Sequence, residues 1–439
     1  MIVNNACRQN WKSYQKRLKR KEKGKFLLQR LPLLVMYAGG AFFVIAIIIF
    51  SGSWLNANLK ETTPPPLKEF KKEWDKRDIS LLMSDFQLFP SPETGGYILS
   101  KEGTGLLAET TIDADLQKYI AKLLRRSRTF QAAVVALDPD TGRILAMTDY
   151  QKADMEGQNN LCLQADIPAA SIFKVVSAAA AIEAREFQID KPMFFNGKRH
   201  TLYKSQLKQV NNRYTRKTDL KKAFSLSNNP VFGKMGIYDL GGQLIADYAE
   251  RFMFNNAIPF DLPIGISHIN EPDDDFGLAE LASGFNKETK ISPLHAALIV
   301  STIANNGTMM EPWLVKSVRD ETGDFIYRAR IQGLSNPITE DTAVQLKVLM
   351  GNTVKYGTCR TAFRPLITKK RFHEIELGAK TGTINDSLDR YKYDWITTYA
   401  IPKKGHNKIC IAVLAVHGEK LGIRAKDLAR YIIDYHFTS

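Results

Sequence analysis

Eight residues in three short runs carry the chemistry open to this sequence. Ser171-Ile172-Phe173-Lys174 sets a hydroxyl and an amine three positions apart. Ser227-Asn228-Asn229 adds a second hydroxyl and a carboxamide. Lys380-Thr381-Gly382, continued by Thr383, adds a second amine and two more hydroxyls. A serine hydroxyl is a weak nucleophile until a base takes its proton. On a helix, positions i and i+3 share a face, so Lys174 comes within reach of Ser171. Lysine acts as a base only when neutral, and burial among Phe173, Val175, Val176 and Ala178 favours that state by desolvation. The positive end of the helix dipole stabilises charge developing at the serine. The chemistry this points to is nucleophilic catalysis by serine.

Context decides which runs count. Ser-x-x-Lys occurs at Ser13, Ser171 and Ser205. Ser13 lies in a basic tail, and Ser205 lies in the polar run YKSQLKQVNNRY. Only Ser171 opens an apolar helix, expected over Ser171–Ala184, with Pro168 just ahead to fix the approach of the chain. Ser-x-Asn and Lys-Thr-Gly each occur once. A single Ser-x-Asn is usually a turn or a cap. Three runs in this order, with 56 and 153 residues between their first positions, form a set.

The elements that must position them are readable in outline. TTIDADLQKYIAKLL (Thr110–Leu124) predicts a helix capped by Thr111 or Asp113, with Leu116, Tyr119, Ile120 and Leu123 at helical spacing. Ala132–Tyr150 reads as a hairpin around a Pro-Asp-Thr-Gly turn. Leu294–Gly307 is a second buried helix, stopped by Asn-Asn-Gly. Glu376–Thr383, Trp395–Ala400 and Lys408–Val416 read as three antiparallel strands, and Lys426–Phe437 as a closing amphipathic helix. Strands near both ends with helices between predict an α+β domain, an antiparallel sheet flanked by helices.

The ordered triplet resembles the motif set of penicillin-recognising serine enzymes. The chain resembles, in particular, the transpeptidase domain of penicillin-binding proteins. TTIDADLQ, VVALDPDTGRILAMT, KISPLHAALIVSTIANNGTMMEPWLV, VKYGTCRTAF and DWITTYAIP carry the resemblance beside the triplet, over roughly residues 108–439. One departure is Thr398, where the family often has glycine. It is expected to touch packing more than chemistry.

The resemblance implies the penicillin-recognising serine transpeptidase fold and a set of roles. Ser171 would attack the carbonyl of a D-Ala-D-Ala peptide bond, forming an acyl-enzyme, with Lys174 as general base. Ser227 would relay a proton to the leaving amine, together with Lys380. Asn229 would bond the substrate's amide. Lys380, Thr381 and Thr383 would hold the terminal carboxylate, with Gly382 completing the motif. Backbone N–H groups of Ser171 and Thr383 would form an oxyanion hole. The strand Gly378–Thr383 would align the peptide by strand addition. A second stem amine would take the acyl group and form a cross-link, and penicillin would acylate Ser171 by the same route. The implied ligands are peptidoglycan stem peptides, lipid-linked precursors and β-lactams, with no cofactor.

Charge and hydropathy address location. The chain has 439 residues and a net charge of +15. Residues 1–30 hold +9 and residues 31–107 hold −1, which leaves +7 for residues 108–439. No charged residue falls between Leu31 and Leu59, and Leu33–Phe50 is long enough to cross most of a hydrocarbon core. A basic flank ahead of an apolar span predicts a single-pass transmembrane anchor with its N-terminus cytoplasmic. A cleaved signal peptide is the competing reading, against which the apolar run is long and SGSWLNANL is a weak cleavage site.

The expected organisation is a basic cytoplasmic tail (1–30), an anchor (31–55), an extracytoplasmic linker (56–107) and a transpeptidase domain (108–439) at the bacterial cytoplasmic membrane. Lys68–Asp78, in the linker, reads as a short solvated helix. About fifty residues between Leu59 and Thr110 leave no room for a glycosyltransferase domain there. Polymerisation is therefore expected from a membrane glycosyltransferase partner. Cys7, Cys162, Cys359 and Cys410 match no zinc pattern, and one disulfide among the last three stays open. The histidines show no metal-binding spacing.

Three alternatives compete with transpeptidation. A D,D-carboxypeptidase or β-lactamase would use the same acyl-serine with water as acceptor. A β-lactam sensor would need a cytoplasmic effector domain, which the short tail does not supply. Nucleic-acid binding by the tail lacks aromatic interleaving or a recognition fold.

Overall fold

The sheet that carries the third motif is built from both ends of the domain. A computed structural model of the chain describes residues 74–83, 87–90, 97–100, 106–152 and 160–438. In chain order the elements begin with α1 (Lys76–Met83), β1 (Gln87–Pro90), β2 (Tyr97–Ser100), β3 (Leu107–Thr110), α2 (Ala114–Arg125), β4 (Gln131–Leu137) and β5 (Ile144–Gln151). Next come β6 (Ile167–Pro168), a 3₁₀ turn at Ala170–Phe173, α3 (Lys174–Arg185), β7 (Pro192–Phe195), α4 (Lys204–Leu207), β8 (Arg216–Asp219), α5 (Leu220–Ser225) and α6 (Asn229–Met235). The middle of the domain holds α7 (Gly242–Arg251), α8 (Asp275–Ser283), β9 (Lys290–Ile291), α9 (Pro293–Ala304), β10 (Met309–Met310), β11 (Val315–Arg319), β12 (Phe325–Arg328) and β13 (Gly333–Ser335). It closes with α10 (Glu340–Lys355), α11 (Arg360–Ile367), β14 (Ile375–Asn385), β15 (Lys392–Pro402), β16 (Ile409–His417) and α12 (Ala425–His436).

The main sheet is antiparallel, in the order β14-β15-β16-β4-β5. Its two faces separate with period two, as a pleated strand requires. Along β4, Ala133, Val135 and Leu137 enter one core, while Ala132, Val134 and Ala136 enter the other. Along β16, Cys410, Ala412 and Leu414 alternate in the same way with Ile411, Val413 and Ala415. All nine residues of β16 are buried, because helices cover both faces. The first face packs on the wholly buried α9. The second is covered by α2, α11 and α12 through Ile120, Phe363, Leu428 and Ile432.

Local signals place the helix starts. Asp113 accepts from the backbone of Asp115 and Leu116 at 3.0 Å each, and so selects one of the two caps expected for α2. Ser292 caps α9, with Pro293 in its first turn. The expected hairpin, buried helices, strands and closing helix are all present; β14 and β15 are longer than expected by three and five residues, and β16 is shifted by one.

Part of the expected linker falls within the described residues. The linker expected to end at Leu107 is folded in part, and its described residues belong to the same compact unit, Lys72–Ser439. The strands β1, β2 and β3 join β11 and β12 in a second antiparallel sheet, with Ala108 paired to Val318. The solvated helix expected over Lys68–Asp78 lies largely outside the described residues; a helix over Lys76–Met83 buries Ile79 and Met83 in the core. Residues 1–73, including the expected tail and anchor, lie outside the described residues. Among those described, no helix is long and apolar enough to cross a membrane. Cys162, Cys359 and Cys410 are each buried as free thiols.

Candidate active site

The chain enters the first motif under constraint. Ile167 and Pro168 pair with Ile291 and Lys290. The Trp395 indole N–H donates to the Pro168 carbonyl at 2.9 Å, and the Ala169 N–H donates to the Thr289 carbonyl at 2.8 Å. Pro168 therefore acts in a two-residue strand and not at a helix N-terminus. Ala170 then takes a left-handed conformation with φ +48°, an uncommon state that only strong surroundings hold.

Ser171 lies in the 3₁₀ turn, and α3 begins only at Lys174, three residues later than expected. The change of helix type helps the pair. In a 3₁₀ turn, side chains at i and i+3 eclipse, which stacks Lys174 on Ser171.

Lys174 is fully buried, while Ser171 is half-buried above it. The amine Nζ lies 2.8 Å from Ser171 Oγ and donates to Asn229 Oδ1 at 2.8 Å. It also donates to the Ser283 carbonyl at the end of α8. Burial pushes the Lys174 amine well below its ordinary value, and the charge of Lys380 pushes it further.

Glycine is required just beyond Ser283. Gly284 has φ +58°, and a Cβ there would lie 2.1 Å from the Ala170 carbonyl oxygen. The close approach of α8 to the Ser171 turn depends on that missing carbon.

The second motif spans the turn from α5 to α6. Ser227 is left-handed, with φ +54°. Asn228 caps α6 through the Val231 N–H at 3.2 Å. Asn229 donates its backbone N–H to the Arg199 carbonyl at 2.8 Å and its side-chain amide to the His200 carbonyl at 3.3 Å. Both ends of this carboxamide are thus engaged within the protein. From the other side, the Thr358 N–H donates to the Ser225 carbonyl at 3.1 Å, and Asn352 Nδ2 donates to Ser225 Oγ at 2.9 Å.

The third motif lies on β14, an edge of the main sheet. Lys380 is fully buried, and its Nζ donates to Ser227 Oγ at 3.0 Å and to the Thr381 carbonyl at 2.7 Å. Burial lowers this amine to about 7. Each amine lies 5.5 Å from an aromatic centroid, Lys174 over Phe232 and Lys380 over Phe224. A Cβ on Gly382 would lie 3.2 Å from the Ser171 nitrogen, so β14 runs against the backbone of the first motif.

The flanking threonines have partners of their own. The Thr381 and Thr358 hydroxyls are 2.6 Å apart. The exposed Thr383 donates its hydroxyl to Asp394 at 3.2 Å. Asp394 is held in turn by two bonds from Arg424, at 2.6 and 2.8 Å. Burial alone would raise the Asp394 carboxyl; Arg424, His417 and the Ala425 N–H outweigh it and hold the group well below the usual carboxylate range. Thr398 is buried and donates to the Gly378 carbonyl at 2.7 Å.

All three motifs thus converge on two linked Ser–Lys pairs. Sequence reasoning missed Ser283, Gly284, Thr358 and the Asp394–Arg424 pair. A backbone carbonyl leaves no side-chain signature, and Asp394 and Arg424 lie thirty residues apart. Only a Gly following a helical run marked Gly284, as a C-cap.

Residues 132–434 match the family described as the penicillin binding protein transpeptidase domain, and the chain belongs to that family. It is 24% identical over 312 residues to stage V sporulation protein D of Bacillus subtilis, covering 68% of this chain and 47% of that protein. It is 23% identical over 375 residues to the peptidoglycan D,D-transpeptidase PbpA of Mycolicibacterium smegmatis, covering 78% and 73%. The chain therefore spans about half the length of the first of these relatives. Among solved structures, penicillin-binding protein A from M. tuberculosis, as a ceftriaxone acyl-enzyme complex, superposes with a TM-score of 0.60 at 22% identity, covering 75% of this chain and 80% of that one. The D,D-transpeptidase domain of a peptidoglycan glycosyltransferase from Eggerthella lenta gives 0.61 at 21% identity, covering 83% and 91%.

Proposed function

We propose that this chain is a serine-type D-Ala-D-Ala transpeptidase that cross-links peptidoglycan stem peptides. The observation that carries the reading is the set of groups around Lys174. A neutral amine has two N–H groups and one lone pair. Asn229 Oδ1 and the Ser283 carbonyl accept only, and take the two N–H groups. The lone pair is left for the Ser171 hydroxyl proton.

Lys174 then takes that proton as Ser171 Oγ attacks the peptide carbonyl carbon. N–H groups of Ser171 and Thr383 receive the oxyanion. The C–N bond breaks, Ser227 passes its proton to the departing D-alanine nitrogen, and Lys380 resupplies Ser227. Exchange with solvent then returns Lys174 to the neutral amine and Lys380 to the ammonium. An acceptor amine attacks the ester carbonyl, Lys174 takes its proton, and that proton passes to Ser171 Oγ as the ester C–O bond breaks. Lys380, Thr381 and Thr383 face the terminal carboxylate, and the exposed edge of β14 gives the donor peptide a strand to pair with. β-Lactams acylate Ser171 by the same first step. A single-pass anchor that keeps this domain outside the cytoplasmic membrane, with a membrane glycosyltransferase as partner, belongs to the same proposal.

Incubation with a D-Ala-D-Ala-terminated stem peptide tests the acceptor. The expected result is D-alanine release accompanied by a dimer when an amine acceptor is added. Release of D-alanine with water as the only acceptor, whatever amine is present, would make the enzyme a carboxypeptidase.

A further inference from the structure

The positive charge of the domain is gathered in one place. Residues 108–439 hold +7, yet residues 191–222 alone contain ten Lys and Arg against one acid, Asp219, a net +9. The rest of the domain is therefore slightly acidic. These residues form one lobe, the β7–β8 hairpin with α4 between its strands. The lobe abuts the second motif, since its Arg199 and His200 carbonyls accept the two Asn229 N–H bonds.

Lys198, Arg199, Lys204, Lys208, Arg213 and Arg216 are exposed. Among the described residues, none of the six has a carboxylate partner; the lobe's one ion pair joins Lys222 to Asp219. Tyr203 and Tyr214 stand 63% and 64% exposed beside them. Between the lobe and α6 a cleft of about 340 Å³ opens, floored by Phe187, Val231 and Met235 and edged by Phe194, Val210 and Tyr238. A dense set of unpaired like charges repels itself, a cost that a bound polyanion removes. Exposed aromatic rings among cations suit a ligand with apolar faces between its charges.

We propose that this lobe is a docking surface for the substrate strand itself: a glycopeptide polymer carrying repeated carboxylates. The lobe would hold the strand beside Asn229 and deliver its peptides to Ser171. Continuity with the site favours this occupant, because the segment carrying the cations is the one bonded to Asn229. The inference rests on the transpeptidase reading.

Co-sedimentation of the full chain with insoluble peptidoglycan tests it. The variant is K204E/K208E/R213E/R216E, which leaves Arg199 and the three motifs intact. Expected is a loss of affinity of about tenfold or more at low salt, shrinking at high salt. Wild type should lose affinity similarly for polymer with amidated carboxylates, and a small β-lactam should acylate both proteins within about twofold. A milder variant, K204Q/R213Q, replaces the first if the fourfold change is not acylated, and should show a smaller loss in the same direction. Equal sedimentation of variant and wild type would overturn the proposal. So would undiminished binding of wild type to the amidated polymer, or charge-dependent binding confined to anionic lipid vesicles. Failure of Ser171 to acylate would strike the parent reading alone, since sedimentation does not depend on acylation.

Discussion

The two Ser–Lys pairs of this site are built from the same groups and differ in what surrounds the amine. Lys174 meets Ser171 Oγ and two pure acceptors, Asn229 Oδ1 and the Ser283 carbonyl. Lys380 meets Ser227 Oγ and one pure acceptor, the Thr381 carbonyl. As a neutral amine, Lys174 is fully satisfied and aims its lone pair at a hydroxyl. As an ammonium, Lys380 keeps one N–H spare, which suits a carboxylate. Burial lowers both amines, but Lys174 also feels the charge of Lys380. On the proposed reading one pair removes a proton, and the other returns one and faces a carboxylate. Identical side chains acquire different work from one extra carbonyl and one neighbouring charge.

The largest effect should come from removing each amine in turn. Lys174→Ala is expected to cut the acylation rate constant by about 10³-fold, within the range for a lost general base. Lys380→Ala should raise the concentration of carboxylate-bearing β-lactam needed for half-maximal acylation by about a hundredfold and, through the lost proton supply to Ser227, slow the acylation step less than Lys174→Ala does. Stopped-flow acylation across inhibitor concentrations separates the two. Equal effects on rate constant and binding in both variants would break the comparison.

Gly284→Ala should follow, because its Cβ would collide with the Ala170 carbonyl and strain a left-handed backbone. A loss of about 2–4 kcal/mol in denaturant unfolding is expected, with slowed acylation as the Ser171 turn shifts. A fully stable, fully active variant would show that α8 does not hold the turn.

The smallest effect is one of pH. An amine lowered from 10.5 to about 7 is penalised by burial while charged. That penalty is complete below about pH 7 and fades as pH rises toward 10.5, because the unfolded chain still binds the proton there. Melting temperature of wild type should therefore rise with pH across this window relative to Lys380→Met. Parallel curves would mean that Lys380 titrates near its ordinary value.

Much of this site was legible because its groups sit in short local runs. Ser171 with Lys174, and Ser227 with Asn229, are each set by one turn of chain, and burial of Lys174 followed from the apolar residues around it. The main sheet was legible because β4, β14 and β16 carry long apolar runs. Non-local parts were not. The β3–β11 pairing joins Ala108 to Val318, 210 residues on, through short strands that no local pattern ties together. The 3₁₀ turn at Ser171 follows from Ala170 and Gly284 meeting in space, a contact no local pattern encodes.

The central claim is that Ser171, served by Lys174, is the nucleophile. Intact-protein mass measurement after incubation with penicillin, followed by peptide mapping, tests it most directly. The account predicts one stable adduct, mapped to Ser171 and absent from Ser171→Ala, whose fold is otherwise unchanged. An equal adduct on Ser171→Ala, or an adduct mapped to Ser227, would contradict it.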